Sequence, residues 1–197
     1  MPDSAPAALI SPLQLRPVVW TGRLLFAVVL LHGVYAVAVY DRLPPRLPVH
    51  FGFDGAADAW ASPGPGSWFA LVLVSAATAL AIGLAALAMF RIPPRWLNLP
   101  RKAAFLELPE AERRAVLGIV AAFTLAIGAT VCAGLFAVHL IQGLVAVGAV
   151  TRFPIAAPFA ATGAVFVELI AMFIRVSAAV DAATARRIRK REVNHAP

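Results

Sequence analysis

Three side chains able to hold a proton or a metal ion, His50, Asp54 and Asp58, recur every four positions within RLPPRLPVHFGFDGAADAWASPGP, residues 42–65. A neutral imidazole and two carboxylates can ligate a divalent cation, and on one helix face that spacing would bring them together. Pro48 before them and Gly52 and Gly55 between them oppose a helix, so the spacing predicts no convergence. The simpler reading has His50 and Asp58 bonding backbone groups of the turn and Asp54 forming an Asx-turn. No HExxH, GxSxG, P-loop or paired-cysteine motif occurs in the chain, so the expectation is a non-enzymatic protein with no catalytic residue, metal site or cofactor.

A second polar set, His32, His139, Gln142 and Glu168, is scattered through long apolar runs. A carboxylate near a bilayer centre costs roughly 3 kcal/mol on insertion scales, and such residues face other helices or mark an ion path. His32 and His139, with Gln142, are the candidate partners of Glu168 in a polar relay. The alternative is a protonated Glu168 hydrogen-bonded to a neighbouring helix, with the histidines as packing groups. Arg175, farther along the same segment, is expected to snorkel to the interface.

Those residues need elements to hold them, and composition names the elements. The chain has 197 residues, of which 61% are hydrophobic and 14% charged, with a mean hydropathy of +0.82. A soluble domain of that size cannot bury so much apolar surface. Four runs, Val18 to Tyr40, Trp68 to Phe90, Ala115 to about Ala137 with apolar sequence to Val150, and about Pro154 to Val180, each reach the roughly 20 residues that span a bilayer as helix. Their continuous apolarity excludes alternating barrel strands. Arg16 and Arg23 before a run ending Ala36-Val37-Ala38 resemble a signal peptide, but the run is too long and Tyr35 and Tyr40 crowd the cleavage point.

The predicted fold is therefore all-α, a polytopic bundle of four transmembrane helices with a short ordered loop between the first two. Small residues every four positions suit close helix contact: Ser75, Ala79 and Gly83 in the second span, Ala126, Thr130 and Gly134 in the third. In the fourth, Ala160, Ala164, Glu168, Ala171 and Arg175 form one stripe that points Glu168 inward. The lone Cys132 permits no intramolecular disulfide.

Cations cluster before the first span, between the second and third, and after the fourth, so the positive-inside rule places both termini in the cytoplasm of a multi-pass plasma (inner) membrane protein. Residues 1–17 are then a cytoplasmic tail, 18–180 the membrane domain with its loop at 41–66 and cytoplasmic loop at 91–114, and 181–197 a basic tail. The net charge of +7 follows from this topology, and the tail is expected to meet lipid headgroups rather than nucleic acid. The first dozen residues and the final His-Ala-Pro read as frayed.

Within the 41–66 loop, Leu43 to Pro48 reads as extended. Val49, Phe51 and Phe53 alternate with His50 and Gly52 as a short strand with one apolar face, Asp54-Gly55 reads as a turn, and Trp60 and Trp68 as interfacial anchors. The pattern Leu43, Pro44, Leu47, Pro48, His50, Phe51, Gly55, Asp58, Trp60 resembles the signature of the DUF1648 membrane domain, a module also found at the front of SdpI-type bacterial immunity proteins. Asn98, Leu99, Pro100 and Lys102, followed by Pro109, Glu110, Arg113 and Arg114, resemble the family's second motif. The chain departs from the pattern at Gly52, Ala57 and Pro63, and the later SdpI-type half is not evident.

The resemblance implies a role in toxin immunity or signalling, with an extracellular peptide or protein ligand at the outer loop and a cytoplasmic protein partner on the basic middle loop. A small transporter or proton pathway through Glu168 with His32 or His139 is the second expectation. Either class is compatible with a homo-oligomer.

Overall fold

The computed structural model describes residues 12–194; the ends read as frayed lie outside this range, apart from Pro12. Helix α1 (Pro12–Tyr40) leads into strands β1 (Leu47–Phe51) and β2 (Ala57–Ala61). A single turn α2 (Pro65–Trp68) precedes α3 (Ala70–Ala88), and a 3-10 turn at Pro94–Trp96 and the short α4 (Lys102–Glu107) precede α5 (Glu110–Ala146) and α6 (Ala156–Asn194). Four helices, α1, α3, α5 and α6, are long and apolar enough to cross a bilayer, making the chain a multi-pass membrane protein.

The helices run past the limits of the apolar sequence. At 37 and 39 residues, α5 and α6 are about 55–58 Å long, well beyond a hydrocarbon core of about 30 Å. Once the apolar segment has nucleated a helix, each further residue adds a hydrogen bond at low cost, so polar flanks continue it. The basic segment 181–194 thus belongs to α6. α5 stops where Gly148 takes φ +74, and the Ala149 N–H bonds the Leu144 carbonyl at 2.9 Å, the left-handed end that glycine favours.

α5 is the hub. It packs against α1, α3 and α6, while α1 also touches α3 and α6 also touches α4. Most of the α5 span is buried in protein, whereas each other span buries only a stripe. Close approach depends on the small residues. A Cβ on Gly128 would press into Ile82 of α3 at 2.8 Å, and one on Gly134 would meet Ala161 of α6 at 3.5 Å. The Ala126/Thr130/Gly134 stripe accordingly faces α6, and Ser75 of α3 is fully buried. The fourth stripe does not run as spaced: Ala160 and Ala164 are exposed, and α6 instead turns Ala161, Val165, Glu168 and Val176 inward. The first two steps of that stripe are four residues long, which sets Ala164 and Ala160 about 40° and 80° around the helix from Glu168.

Three apolar clusters stack along the helices. Ala36, Leu47 and Trp68 lie at the hairpin end; Leu25, Ala86, Leu125 and Cys132 in the middle; Phe105, Leu108, Val120, Val176 and Val180 at the basic end. The hairpin and the α4 segment therefore cap opposite ends of one bundle.

Candidate functional site

The hairpin is built on an irregular register. Leu47 pairs with Ala61 and Pro48 with Trp60, but His50 pairs with Ala59 and Phe51 with Ala57, so Val49 and Asp58 are each an extra residue. Such bulges re-aim side chains. Here they bring His50 Nδ1 and Asp58 Oδ1 to 2.6 Å, with both side chains solvent-exposed. The expectation that these two bond backbone groups is corrected: they bond each other across the strands. Asp54 forms the expected Asx-turn, accepting from the Ala56 N–H at 3.0 Å, and Gly55 takes φ +77. Among the described residues, no three His, Cys, Asp or Glu side chains converge as a metal site.

The apolar face of this segment also differs from the sequence reading. Leu47 and Pro48 are buried, whereas Val49 is exposed and Phe53 lies in the turn with its ring fully in the open. The bulge at Val49 breaks the two-residue alternation that assigned these side chains to one face.

The hairpin is clamped at both ends. Gln142 of α5 donates from Nε2 to the Pro48 carbonyl at 2.8 Å and reaches the Ser67 carbonyl at 3.4 Å. At the tip, the Phe153 N–H donates to the Gly55 carbonyl at 2.7 Å, the Phe51 and Phe153 rings stack at 5.1 Å, and Arg152 reaches the Asp54 carbonyl at 3.4 Å. A Cβ on Gly55 would collide with the Phe153 carbonyl, so both φ and space require glycine there.

Beneath the hairpin is a buried nest of rings. His32 Nε2 and His139 Nδ1 are 2.9 Å apart, and both residues are wholly buried. One ring donates and the other accepts, so the two adopt complementary tautomers. The His139 ring stands edge-on to Trp68 at 4.0 Å and to Tyr35 at 5.5 Å, and Phe136 lies 5.1 Å from His32. Trp68 is no interfacial anchor: its Nε1–H donates to the Ala36 carbonyl at 2.9 Å inside the bundle. Gly143 leaves the space that Tyr35 and Trp68 occupy. His32 Nδ1, His139 Nε2 and Gln142 Oε1 have no protein partner among the described residues.

Glu168 is elsewhere. Thr130 of α5 donates to Glu168 Oε1 at 2.7 Å, and Thr130 precedes His139 by nine residues, about 13 Å of helix rise. The histidines therefore bond each other and Glu168 bonds a hydroxyl of the neighbouring helix, as the helix-packing reading of these residues expected, whereas the relay of Glu168 with His32, His139 and Gln142 is corrected because it does not assemble. Arg175 is exposed, as a snorkelling side chain requires.

The second motif is structural clasp as much as surface. Asn98, Leu99 and Pro100 lead to Arg101, whose φ of +58 starts α4 at Lys102. Arg101 reaches Asp181 of α6 at 3.4 Å. Pro109 caps α5, Glu110 pairs with Arg114 at 2.6 Å, and Arg113 donates to the Leu106 carbonyl at 3.1 Å. Phe105 and Leu108, buried between α5 and α6, anchor the segment.

Sequence reasoning passed over Tyr35, Phe136, Thr130, Arg152 and Phe153 as site residues. For the first two a signal was present: Tyr35 follows His32 by three residues, and His139 follows Phe136 by three, spacings that share a helix face. Nothing local ties Phe153 to Gly55.

No curated protein and no solved structure matches the chain. Residues 27–74 match the family model described as a domain of unknown function, DUF1648, a region taking in the second half of α1, the hairpin, α2 and the start of α3 but not the 98–114 motif. Residues 27–74 thus carry the resemblance to DUF1648 within a chain whose four long apolar helices make it a multi-pass integral membrane protein.

Proposed function

We propose that this protein is a non-enzymatic membrane module that recognises an extracytoplasmic ligand or protein partner through the 43–60 hairpin, in the manner of an immunity or signalling component. The proposed setting is the plasma membrane, with the hairpin outside and both termini and the basic 91–114 loop inside. One observation carries the reading. The hairpin is fixed to α5 and to the α5–α6 connection by bonds to its backbone carbonyls, yet it offers the 2.6 Å His50–Asp58 pair together with exposed Phe53 and Trp60. A rigid scaffold presenting an aromatic side chain and a polar pair outside its own core has the make-up of a contact surface, because little conformational freedom is lost on binding.

The test is photo-crosslinking in intact cells from a probe residue replacing Phe53, alone and combined with His50→Ala or Asp58→Ala. An adduct with an extracytoplasmic peptide or protein that disappears in the combined variants, while their thermal unfolding is unchanged, supports the reading. Absence of any adduct, or adducts indifferent to both substitutions, overturns it.

A small proton or ion pathway is the second reading, favoured at the buried His32–His139 pair because those two titratable rings bond each other at 2.9 Å, whereas Glu168 bonds only the Thr130 hydroxyl. Proton flux into liposomes that His139→Leu abolishes and Glu168→Gln leaves intact would support it.

A further inference from the structure

At the basic end of the bundle, α5 and α6 border a two-part groove. Its first part, a cavity of about 290 Å³, lies between apolar side chains of the spans, including Val116, Ile119 and Ala182. Its second part, about 730 Å³, is lined by the cations of the α6 extension, including Arg189 and Lys190. Glu112 and Arg186 border both parts, so the two adjoin at these side chains.

We propose that this groove is a binding site for an anionic phospholipid, one acyl chain lying in the apolar part and the phosphate meeting Arg186, Arg189 and Lys190. Four features point to a lipid rather than to a soluble anion. The polarity changes along the groove in the order that a phospholipid presents, tail then phosphate. The change occurs where a headgroup would be, since Arg113 and Arg114 are the last cations before the apolar run of α5 begins at Ala115. The lining cations are unspent: among the described residues Arg186, Arg189, Lys190 and Arg191 make no ion pair, unlike Arg187, which bonds the Glu107 carbonyl at 2.6 Å and approaches its carboxylate at 3.8 Å. Finally, the buried Oε2 of Glu112 has no protein partner; a headgroup hydroxyl or ammonium would supply a donor. Juxtamembrane cation clusters attract acidic lipid generally; the apolar cavity adjoining the cations is what makes this a site rather than a diffuse attraction.

The experiment is native mass spectrometry of the purified full chain titrated with phosphatidylglycerol or phosphatidylcholine. Phosphatidylglycerol is expected to bind as one preferred adduct, and R186Q/R189Q to weaken it by about tenfold or more while the phosphatidylcholine adducts stay as they were. Ala182→Leu, which fills the apolar part without touching charge, is expected to weaken the same adduct. R42Q/R46Q removes equal charge at the hairpin end and is expected to change nothing. Equal binding of the two lipids overturns the proposal, as does equal loss in both arginine pairs, an adduct indifferent to Ala182→Leu, or full displacement by millimolar inorganic phosphate. Circular dichroism of each variant separates lost binding from lost fold.

Discussion

His32 and His139, 107 residues apart in the chain, share a 2.9 Å hydrogen bond in the interior where α1 meets α5. The bond joins a residue of the matched DUF1648 region to one outside it, and Trp68 and Tyr35 pack on the same imidazole. The hairpin's seat is thus a product of α1, α2 and α5 together.

His139→Leu leaves His32 without its partner and is expected to destabilise the protein by about 1–3 kcal/mol. The double variant His32→Leu/His139→Leu should lose less than the two single losses added, because the remaining unpaired nitrogen is gone as well. Reversible unfolding in bicelles checks this; strictly additive losses would show that the two rings are not coupled.

Gln142→Leu removes the donor to the Pro48 carbonyl and the long contact to Ser67. The expected outcome is a loss of about 1–2 kcal/mol, with amide hydrogen exchange accelerated over 47–61 and unchanged in the middle of α5. Uniform acceleration throughout would mean that the clamp supports the whole bundle and not the hairpin alone.

Gly55→Ala puts a methyl group into the Phe153 carbonyl at a backbone position with φ +77. Roughly 1–2 kcal/mol of backbone strain plus the steric overlap should free the tip, making it sensitive to limited proteolysis. Gly52→Ala, whose added Cβ meets the Asp54 and Asp58 carboxylates at 3.1 and 3.5 Å and the Ala56 carbonyl at 3.8 Å, is the milder control.

Thr130→Val deletes the 2.7 Å bond to Glu168 and is expected to cost about 0.6 kcal/mol, the average for such bonds between membrane helices. Glu168→Gln keeps an acceptor there and should cost less. A Glu168→Gln variant with full stability but a lost cellular phenotype would assign Glu168 a functional role instead.

Phe53→Cys tests the orientation. Because the native Cys132 is buried and position 53 is fully exposed, an impermeant maleimide should label this variant in intact cells and leave the parent protein unlabelled. Labelling only after the cells are opened would invert the topology.

Much of this architecture was legible in the residues alone, because the constraint acting on them is local. A backbone in hydrocarbon must satisfy its own hydrogen bonds, so long apolar runs can only be helices, and Gly55 after Asp54 marked the turn through its freedom at positive φ. The hub role of α5 was half visible: its Ala126, Thr130 and Gly134 do face a neighbouring helix, and Gly128 admits another. The α6 stripe failed at its start, because two steps of four residues turn Ala160 about 80° away from the face that holds Glu168.

Composition and motif alone specified the membrane class, the four spans and the resemblance of the hairpin region to DUF1648, since none of these requires knowledge of partners. Which polar groups meet followed from the packing of the helices. Two single-residue bulges carry His50 onto Asp58, the meeting of α1 with α5 joins His32 to His139, and Glu168 is left with Thr130. Side-chain partners across helices depend on rotation and depth, and an error of one residue, which turns a helix by about 100°, is enough to exchange one partner for another.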